Sequence, residues 1–98
     1  MISRRDFIFT IGYDGETAIV DGKAKSRYGG HSTLELAEAG LFKPALCSAL
    51  YEADEKGMEM VLKIYNQRSE HNLASVEQLK RTFGVNAVPE EISKVLVC

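Results

Sequence analysis

Two Asp-Gly dipeptides, at residues 14–15 and 21–22, constrain the first part of the chain more than any other feature. A two-residue hairpin loop needs positive φ at its central positions, and Asp-Gly is among the pairs that meet this need. The runs on either side are rich in β-branched and aromatic residues, which favour strands. The pattern predicts a three-stranded antiparallel meander, with strands at residues 6–13, 16–20 and 23–28.

The spacing of apolar residues becomes helical after the predicted sheet. Capping-box patterns at Ser32 and Ser75 indicate two helix starts, and a glycine follows each of these helices where it would end. Pro44 suits the first turn of a further helix, and the apolar stripe from Met58 to Tyr65 indicates another. Four helices are therefore predicted, at residues 33–39, 44–54, 57–67 and 75–83.

Residues 44–67 could form one long helix or two. Glu52 and Lys56 would make a favourable i, i+4 pair in a continuous helix. Gly57, however, costs the interior of such a helix about 1 kcal/mol relative to Ala. We therefore expect a break between two helices.

The last segment also has two interpretations. Pro89 stands before two carboxylates, and Ile92 and Leu96 follow at helical spacing, which favours a fifth helix. The run from Val95 to Val97 is also typical of a final strand added to the sheet. With the helix preferred, the predicted class is α+β. The three-stranded meander, residues 1–28, packs against four or five short α-helices, residues 32–98, in one domain.

The composition is that of an ordinary soluble protein, with 45% hydrophobic and 27% charged residues. The formal net charge of −2 gives no overall field that would recruit nucleic acid or an anionic membrane. No apolar stretch is long enough to cross a bilayer. The Arg4-Arg5 pair lacks the uninterrupted apolar region that a twin-arginine signal needs behind it. We therefore expect a cytoplasmic location and no membrane partner.

The sharpest candidate for a ligand site is the basic, glycine-containing segment that leads into the helix at residue 33. Unpaired N–H groups at a helix start attract anions, and alternate basic residues on the predicted third strand would add positive charge. Neither the dinucleotide-binding nor the P-loop spacing of glycines is present. A strand-to-helix turn that binds nothing explains the same residues and is the favoured interpretation. The candidate residues are Lys23, Lys25, Arg27, Gly29, Gly30, His31 and Ser32.

Nucleic-acid binding is a possible but not favoured use of this segment. Two stretches resemble a helix-turn-helix, but their reading helices would offer no basic residue in one case and Glu90 and Glu91 in the other. Affinity for DNA depends on cations that meet phosphates. Single-stranded RNA on the predicted sheet is therefore favoured over DNA.

No pattern in the chain identifies a reaction, a metal or a cofactor. His31 and His71 lie far apart and outside any ligand or triad spacing. Cys47 and Cys98 lack Cys-x-x-Cys spacing, which predicts a buried small residue and a free thiol. The acidic run at residues 52–59 lacks the spacing of a calcium loop. We expect no catalytic residues, no metal and no cofactor.

The helical half has more apolar positions than single stripes need. Met60 and Ile64 lie beside the main stripe, and Phe42 lies in a short connection. A small domain often covers surplus apolar surface with a partner, although a thicker helical core would use the same residues. The predicted function is a non-catalytic protein-interaction domain, with a homodimer as one form of it. The alternative is an anion or nucleic-acid binder, and the third hypothesis is a small enzyme.

Overall fold

The computed structural model describes all 98 residues, which divide into two units. The first unit consists of residues 1–30 and 88–98, and the second of residues 31–87. The chain forms six helices and one three-stranded mixed sheet. The predicted α+β class is confirmed, but the purely antiparallel meander is wrong.

A short helix stands where the first strand was predicted. Helix α1 (Arg4–Ile8) begins after Ser3, whose hydroxyl accepts the N–H of Asp6 at 3.3 Å. Strand β1 (Thr10–Asp14) therefore starts later than predicted. Ser-x-x-Asp before an apolar run is a helix-start signal, and here it prevails over the β-branched and aromatic composition.

The predicted hairpin is present, but Asp14 is the last residue of β1, so the two loop residues are Gly15 and Glu16 and not Asp14 and Gly15. Strand β1 pairs antiparallel with β2 (Thr17–Val20), and Asp14 stands opposite Thr17. Gly15 occupies the first central position of the loop with φ +59°, a conformation that L side chains rarely adopt. The pairing register shifts between Thr10 and Gly12, so that Ile11 lies in a bulge.

The second Asp-Gly dipeptide starts a helix and not a hairpin. Helix α2 (Gly22–Tyr28) replaces the predicted third strand at residues 23–28, which is wrong. The carboxylate of Asp21 accepts the N–H of Ala24 at 3.2 Å and so caps the helix. Aspartate is as favourable at a helix N-cap as in a turn, and lysine and arginine have high helix propensity.

The third strand comes from the other end of the chain. Strand β3 (Lys94–Val97) pairs parallel with β2, in the sheet order β1-β2-β3, so the preferred C-terminal helix is wrong and the strand interpretation is correct. Its end approaches α2 closely. A Cβ on Gly22 would lie 2.6 Å from the carbonyl oxygen of Cys98 and 2.7 Å from Cγ1 of Val97. Because glycine has no Cβ, the end of β3 can pack against α2 at this position.

The second unit is helical, and its four helices lie where four were predicted. The capping box of Ser32 and Glu35 is complete, with N–H to oxygen distances of 2.9 and 3.1 Å. The Ser75 hydroxyl accepts the N–H of Gln78 at 3.3 Å, and Gly84 ends that helix with φ +66°. The helices are α3 (Thr33–Glu38), α4 (Phe42–Tyr51), α5 (Glu55–Arg68) and α6 (Val76–Phe83).

Each of these four helices contributes to the interior of the second unit. A large, fully buried apolar side chain comes from each: Leu36, Leu46, Val61 and Leu79. Ser48 is the one buried polar residue, and its hydroxyl lies 2.8 Å from that of Thr33 and 3.0 Å from a carboxylate oxygen of Glu52. None of the helices is long and apolar enough to cross a membrane.

The expected break between α4 and α5 is present, at residues 52–54. Ala53 adopts φ +53°, the only positive value at a residue other than glycine. Asp54 then caps α5 by accepting the N–H of Gly57 at 3.0 Å. A Cβ on Gly57 would lie 2.6 Å from a carboxylate oxygen of Asp54. The glycine that suggested the break thus lies inside the helix, where it makes room for the cap.

Replacement of Ala53 by glycine should stabilise the protein. The left-handed conformation costs a residue with a Cβ about 1–2 kcal/mol, and glycine avoids this cost while losing about 0.5–1 kcal/mol of chain entropy. We expect Ala53→Gly to raise the free energy of unfolding by about 0.5–1 kcal/mol in urea denaturation.

The matched control is Ala39→Gly, at the exposed end of α3. Ala39 has φ −77°, which alanine adopts without strain, so glycine there should lower the free energy of unfolding. Equal loss of stability in both variants would contradict the strain at Ala53.

Candidate functional site

The basic residues of the predicted site lie on helix α2 and not on a strand, so their side chains no longer share one face. Lys23 and Arg27 are exposed and one helical turn apart on α2, and Lys25 pairs with Asp6 of α1 at 2.6 Å. Arg4 and Arg5 of α1 complete a group that we call the basic cluster. Arg4 donates to the carbonyl oxygen of Gly29 at 3.2 Å, at the end of α2. The basic cluster consists of Arg4, Arg5, Lys23, Lys25 and Arg27.

Asp6 is the carboxylate within the basic cluster. Burial raises the pKa of Asp6, but hydrogen bonds from Lys25 and Ser3, together with the charge of Lys25, more than offset this effect. The pKa of Asp6 therefore lies below its ordinary value, and the carboxylate stays ionised at neutral pH. One cation of the cluster is thus neutralised by a fixed partner.

The glycines and Ser32 do not form an anion cradle. A Cβ on Gly29 would lie 2.5 Å from the carbonyl oxygen of Lys25, so close packing explains this glycine. The N–H and hydroxyl of Ser32 both serve the capping box of α3. The N–H and hydroxyl of Ser32 lower the pKa of Glu35, which keeps a negative charge at the start of this six-residue helix. The residues of the predicted site also do not all belong to one unit, because Gly30 is the last residue of this part of the first unit and His31 is the first residue of the second.

The interaction residues predicted in the helical half are half-buried, and Phe42, which was expected in a connection, is the first residue of α4. Phe42 packs edge-on against Tyr65, with ring centroids 5.2 Å apart, and Phe83 packs against the same tyrosine at 5.4 Å. Met60 and Ile64 are half-buried on α5. Phe42 therefore contributes to an aromatic cluster within the second unit, and the most exposed apolar side chains lie elsewhere.

Strand β3 exposes three consecutive apolar side chains. Val95 is 38% exposed, Leu96 56% and Val97 52%. Monomeric proteins rarely leave contiguous apolar surface on an open sheet edge, which is a template for pairing with another chain. We call Val95, Leu96 and Val97 the β3 edge. Ile11 and Tyr13 are also exposed, but they belong to β1, which is the strand at the opposite edge of the sheet.

The main-chain groups of β3 are arranged for further pairing. The N–H groups of Lys94 and Cys98 donate toward β2, to carbonyl oxygens at 3.2 and 3.0 Å. Alternate residues of a strand direct these groups to opposite sides. Leu96 therefore also faces β2, whereas the N–H and C=O groups of Val95 and Val97 face the open edge.

The sequence did not identify the β3 edge as an interaction surface, because a helix was the preferred interpretation of this segment. The strand alternative depended on the β-branched residues at 95 and 97. That signal indicates a strand but not an exposed one. Exposure follows from the pairing with β2, which no local pattern reveals.

Cys47 and His71 each have a defined environment within the second unit. Burial raises the pKa of the Cys47 thiol to about 11, opposed by the nearby Lys43, and a nucleophilic cysteine needs a lowered pKa. His71 lies stacked on Tyr65, whose hydroxyl is 2.9 Å from Nδ1 of the histidine. No group of three or more histidine, cysteine, aspartate or glutamate side chains could hold a metal ion.

A shallow cavity of about 210 Å³ lies between α5 and α6. Sites for small molecules are usually larger, with volumes of roughly 300–1,000 Å³, and are mostly apolar. This cavity carries three carboxylates and one ammonium group around two apolar side chains. Its lining residues are Glu55, Met58, Glu59, Val76, Glu77 and Lys80.

Comparison with known proteins adds no relative. No protein family, curated protein or solved structure matches the chain.

The two cysteines should react very differently with a thiol reagent. Cys47 is buried and has a raised pKa, so its thiolate is scarce at neutral pH, whereas Cys98 is exposed. We expect iodoacetamide at about pH 8 to alkylate Cys98 completely before Cys47 reacts, as followed by intact mass. The control is Cys98→Ser, which should gain no label until urea unfolds the protein. Rapid labelling of folded Cys98→Ser would contradict the burial of Cys47.

Proposed function

We propose that this chain is a non-catalytic interaction domain that binds a polypeptide by adding a strand to the β3 edge. The observation that carries the proposal is the coincidence of two features on β3. Three apolar side chains are exposed by 38–56%, and the main-chain groups of Val95 and Val97 face outward beside them.

Strand addition uses both features of the β3 edge. The main-chain hydrogen bonds supply affinity, and side chains on alternate faces supply specificity. Val95 and Val97 lie on one face of the sheet, and Leu96 lies on the other. A bound strand would therefore contact two valines on one face of the sheet and one leucine on the other face.

The helical residues that the sequence favoured are a weaker basis for binding. Phe42 is already engaged with Tyr65, and Met60 and Ile64 are half-buried. A helix face also offers no unpaired main-chain groups, because these are satisfied within the helix. We therefore favour the β3 edge as the interaction surface.

A blocked peptide of alternating threonine and valine is a suitable probe of strand addition. At about 1 mM peptide, we expect chemical-shift changes at the Val95, Leu96 and Val97 amides and none on α5, because the peptide would hydrogen-bond to the open edge. Two-dimensional NMR of the labelled protein measures this effect. The proposal fails if no β3 amide moves.

A pair of substitutions at Val95 separates the main-chain contribution from the side chain. Val95→Pro removes an N–H that faces the open edge, and proline is tolerated on an edge strand in that orientation. Val95→Thr keeps both the N–H and the β-branched shape. We expect Val95→Thr to bind the peptide and Val95→Pro to lose it, with the β2 amide signals unchanged in both. Equal binding by the two variants would contradict strand addition.

The basic cluster supports a second candidate function, the binding of a polyanion such as single-stranded RNA. Arg5, Lys23 and Arg27 are exposed, and α2 contains no acidic residue. Release of counterions from three phosphate contacts predicts roughly 20-fold weaker binding when salt rises from about 50 to 200 mM. Fluorescence anisotropy of a labelled oligouridine measures this loss.

Charge reversal locates the polyanion site. Arg27→Glu should abolish the binding of oligouridine, because it replaces an attractive contact with a repulsive one. The matched control is Arg81→Glu on α6, which makes the same change in net charge far along the chain. Equal effects of the two substitutions would show that only net charge matters and would remove the basic cluster as a site.

A further inference from the structure

We infer that the strand that pairs with the β3 edge is β3 of a second copy of this chain. The two strands run antiparallel about a two-fold axis that passes between the two copies of Leu96. This inference rests on the proposed function and names its partner.

The hydrogen-bonding pattern of β3 is compatible with two-fold symmetry. In an antiparallel pair, two residues that stand opposite each other exchange both N–H···O bonds if their main-chain groups face each other. On β3 these are Val95 and Val97. A two-fold axis at Leu96 places Val95 of each copy opposite Val97 of the other. Every outward-facing group of the strand then has a partner.

The alternative register, with the axis at Val95, is disfavoured by the main chain. It would place Val97 of each copy opposite Ser93 of the other, and the N–H of Ser93 would have to face outward. That N–H instead donates to the carbonyl oxygen of Glu16 at 3.0 Å. In this register the carbonyl oxygen of Val97 would therefore lack a donor.

The side chains favour the axis at Leu96 for a second reason. The alternative register would place the ammonium group of Lys94 opposite Leu96. With the axis at Leu96, the two leucines face each other, and Lys94 of each copy stands opposite Cys98 of the other. Like charges are then far apart, and apolar side chains meet apolar side chains.

Both faces of the joined sheet would have continuous apolar rows. Val95 stands beside Ala18, and Val97 beside Val20, so that pairing of Val95 with Val97 joins two apolar rows. Ala18 and Val20 are fully buried and are already part of the interior of the first unit. On the other face, Leu96 stands beside Ile19 and would meet the same pair in the second copy.

The occupant is a second copy because the strand is complementary to itself. A foreign strand would have to supply matching apolar side chains and matching main-chain groups. A second copy supplies both at Val95, Leu96 and Val97, and such isologous contacts are the commonest in homo-oligomers. The contact involves a four-residue strand and lies below the size of permanent interfaces, so the dimer is a reversible one.

Disulfide trapping tests the register. In the proposed dimer the positions 96 form a non-hydrogen-bonded pair, with Cα atoms about 4.5 Å apart, within the range of a disulfide. The positions 95 lie on a diagonal, about 7–8 Å apart, beyond that range. We expect Leu96→Cys in the Cys98→Ser background to give a covalent dimer under mild oxidation, and Val95→Cys in the same background to give none. Non-reducing gel electrophoresis and intact mass measure the product.

A second variant keeps the test independent of changes at Leu96. Lys94→Cys retains Cys98, and the proposed register places these two thiols opposite each other in different copies. Within one copy they are separated by four residues of extended chain, about 13 Å, and cannot join. A covalent dimer of Lys94→Cys therefore supports the register. Linkage of Val95→Cys in preference to Leu96→Cys would overturn it.

Sedimentation equilibrium in reductant tests the association itself. Between about 10 µM and 1 mM protein, the average mass should rise from 10.9 kDa toward twice that value, and Val95→Pro should remain at 10.9 kDa. A constant 10.9 kDa for the wild type would overturn self-pairing. The peptide titration would then still decide whether the β3 edge accepts another strand, so the two failures are distinguishable.

Discussion

The parallel pairing of β3 with β2 is the constraint on which the first unit depends. Without it, the sheet would be reduced to the two strands β1 and β2, and a two-stranded ribbon on its own is marginal in water. The pairing places Val95 and Val97 beside the fully buried Ala18 and Val20. It also makes β3 an edge strand, so the same contact that completes the sheet creates its exposed apolar surface.

Local signals in the sequence predicted the elements that are determined locally. The capping box at Ser32 and the left-handed glycine at Gly84 are properties of a few neighbouring residues, and the structure contains both. Asp21 shows the limit of such signals, because aspartate before glycine suits a hairpin loop and a helix N-cap equally well. In the folded chain Asp21 caps α2, and the end of β3 packs against Gly22, the next residue. A non-local contact thus accompanies the helix, and no local pattern reveals that contact.

The candidate site was harder to predict than the fold. The basic residues at 23, 25 and 27 were recognised, but a strand would place all three on one face, whereas α2 turns Lys25 toward Asp6. The apolar surplus was also recognised, although it was assigned to the helices. Whether an apolar residue is exposed depends on which elements cover it, and Val95–Val97 are exposed because β3 is the last strand of its sheet.

The two edges of the sheet differ in a way that limits the proposed assembly. Edges protect themselves with charges, prolines or bulges, and β3 has only Lys94 at its beginning. Strand β1 has a register shift at Ile11, which disrupts the regular row of hydrogen-bonding groups that another strand would need. Pairing through β3 alone closes after two copies, because a two-fold contact uses the same surface on both. The bulge in β1 therefore explains why apolar edge pairing would end in a dimer and not in a filament.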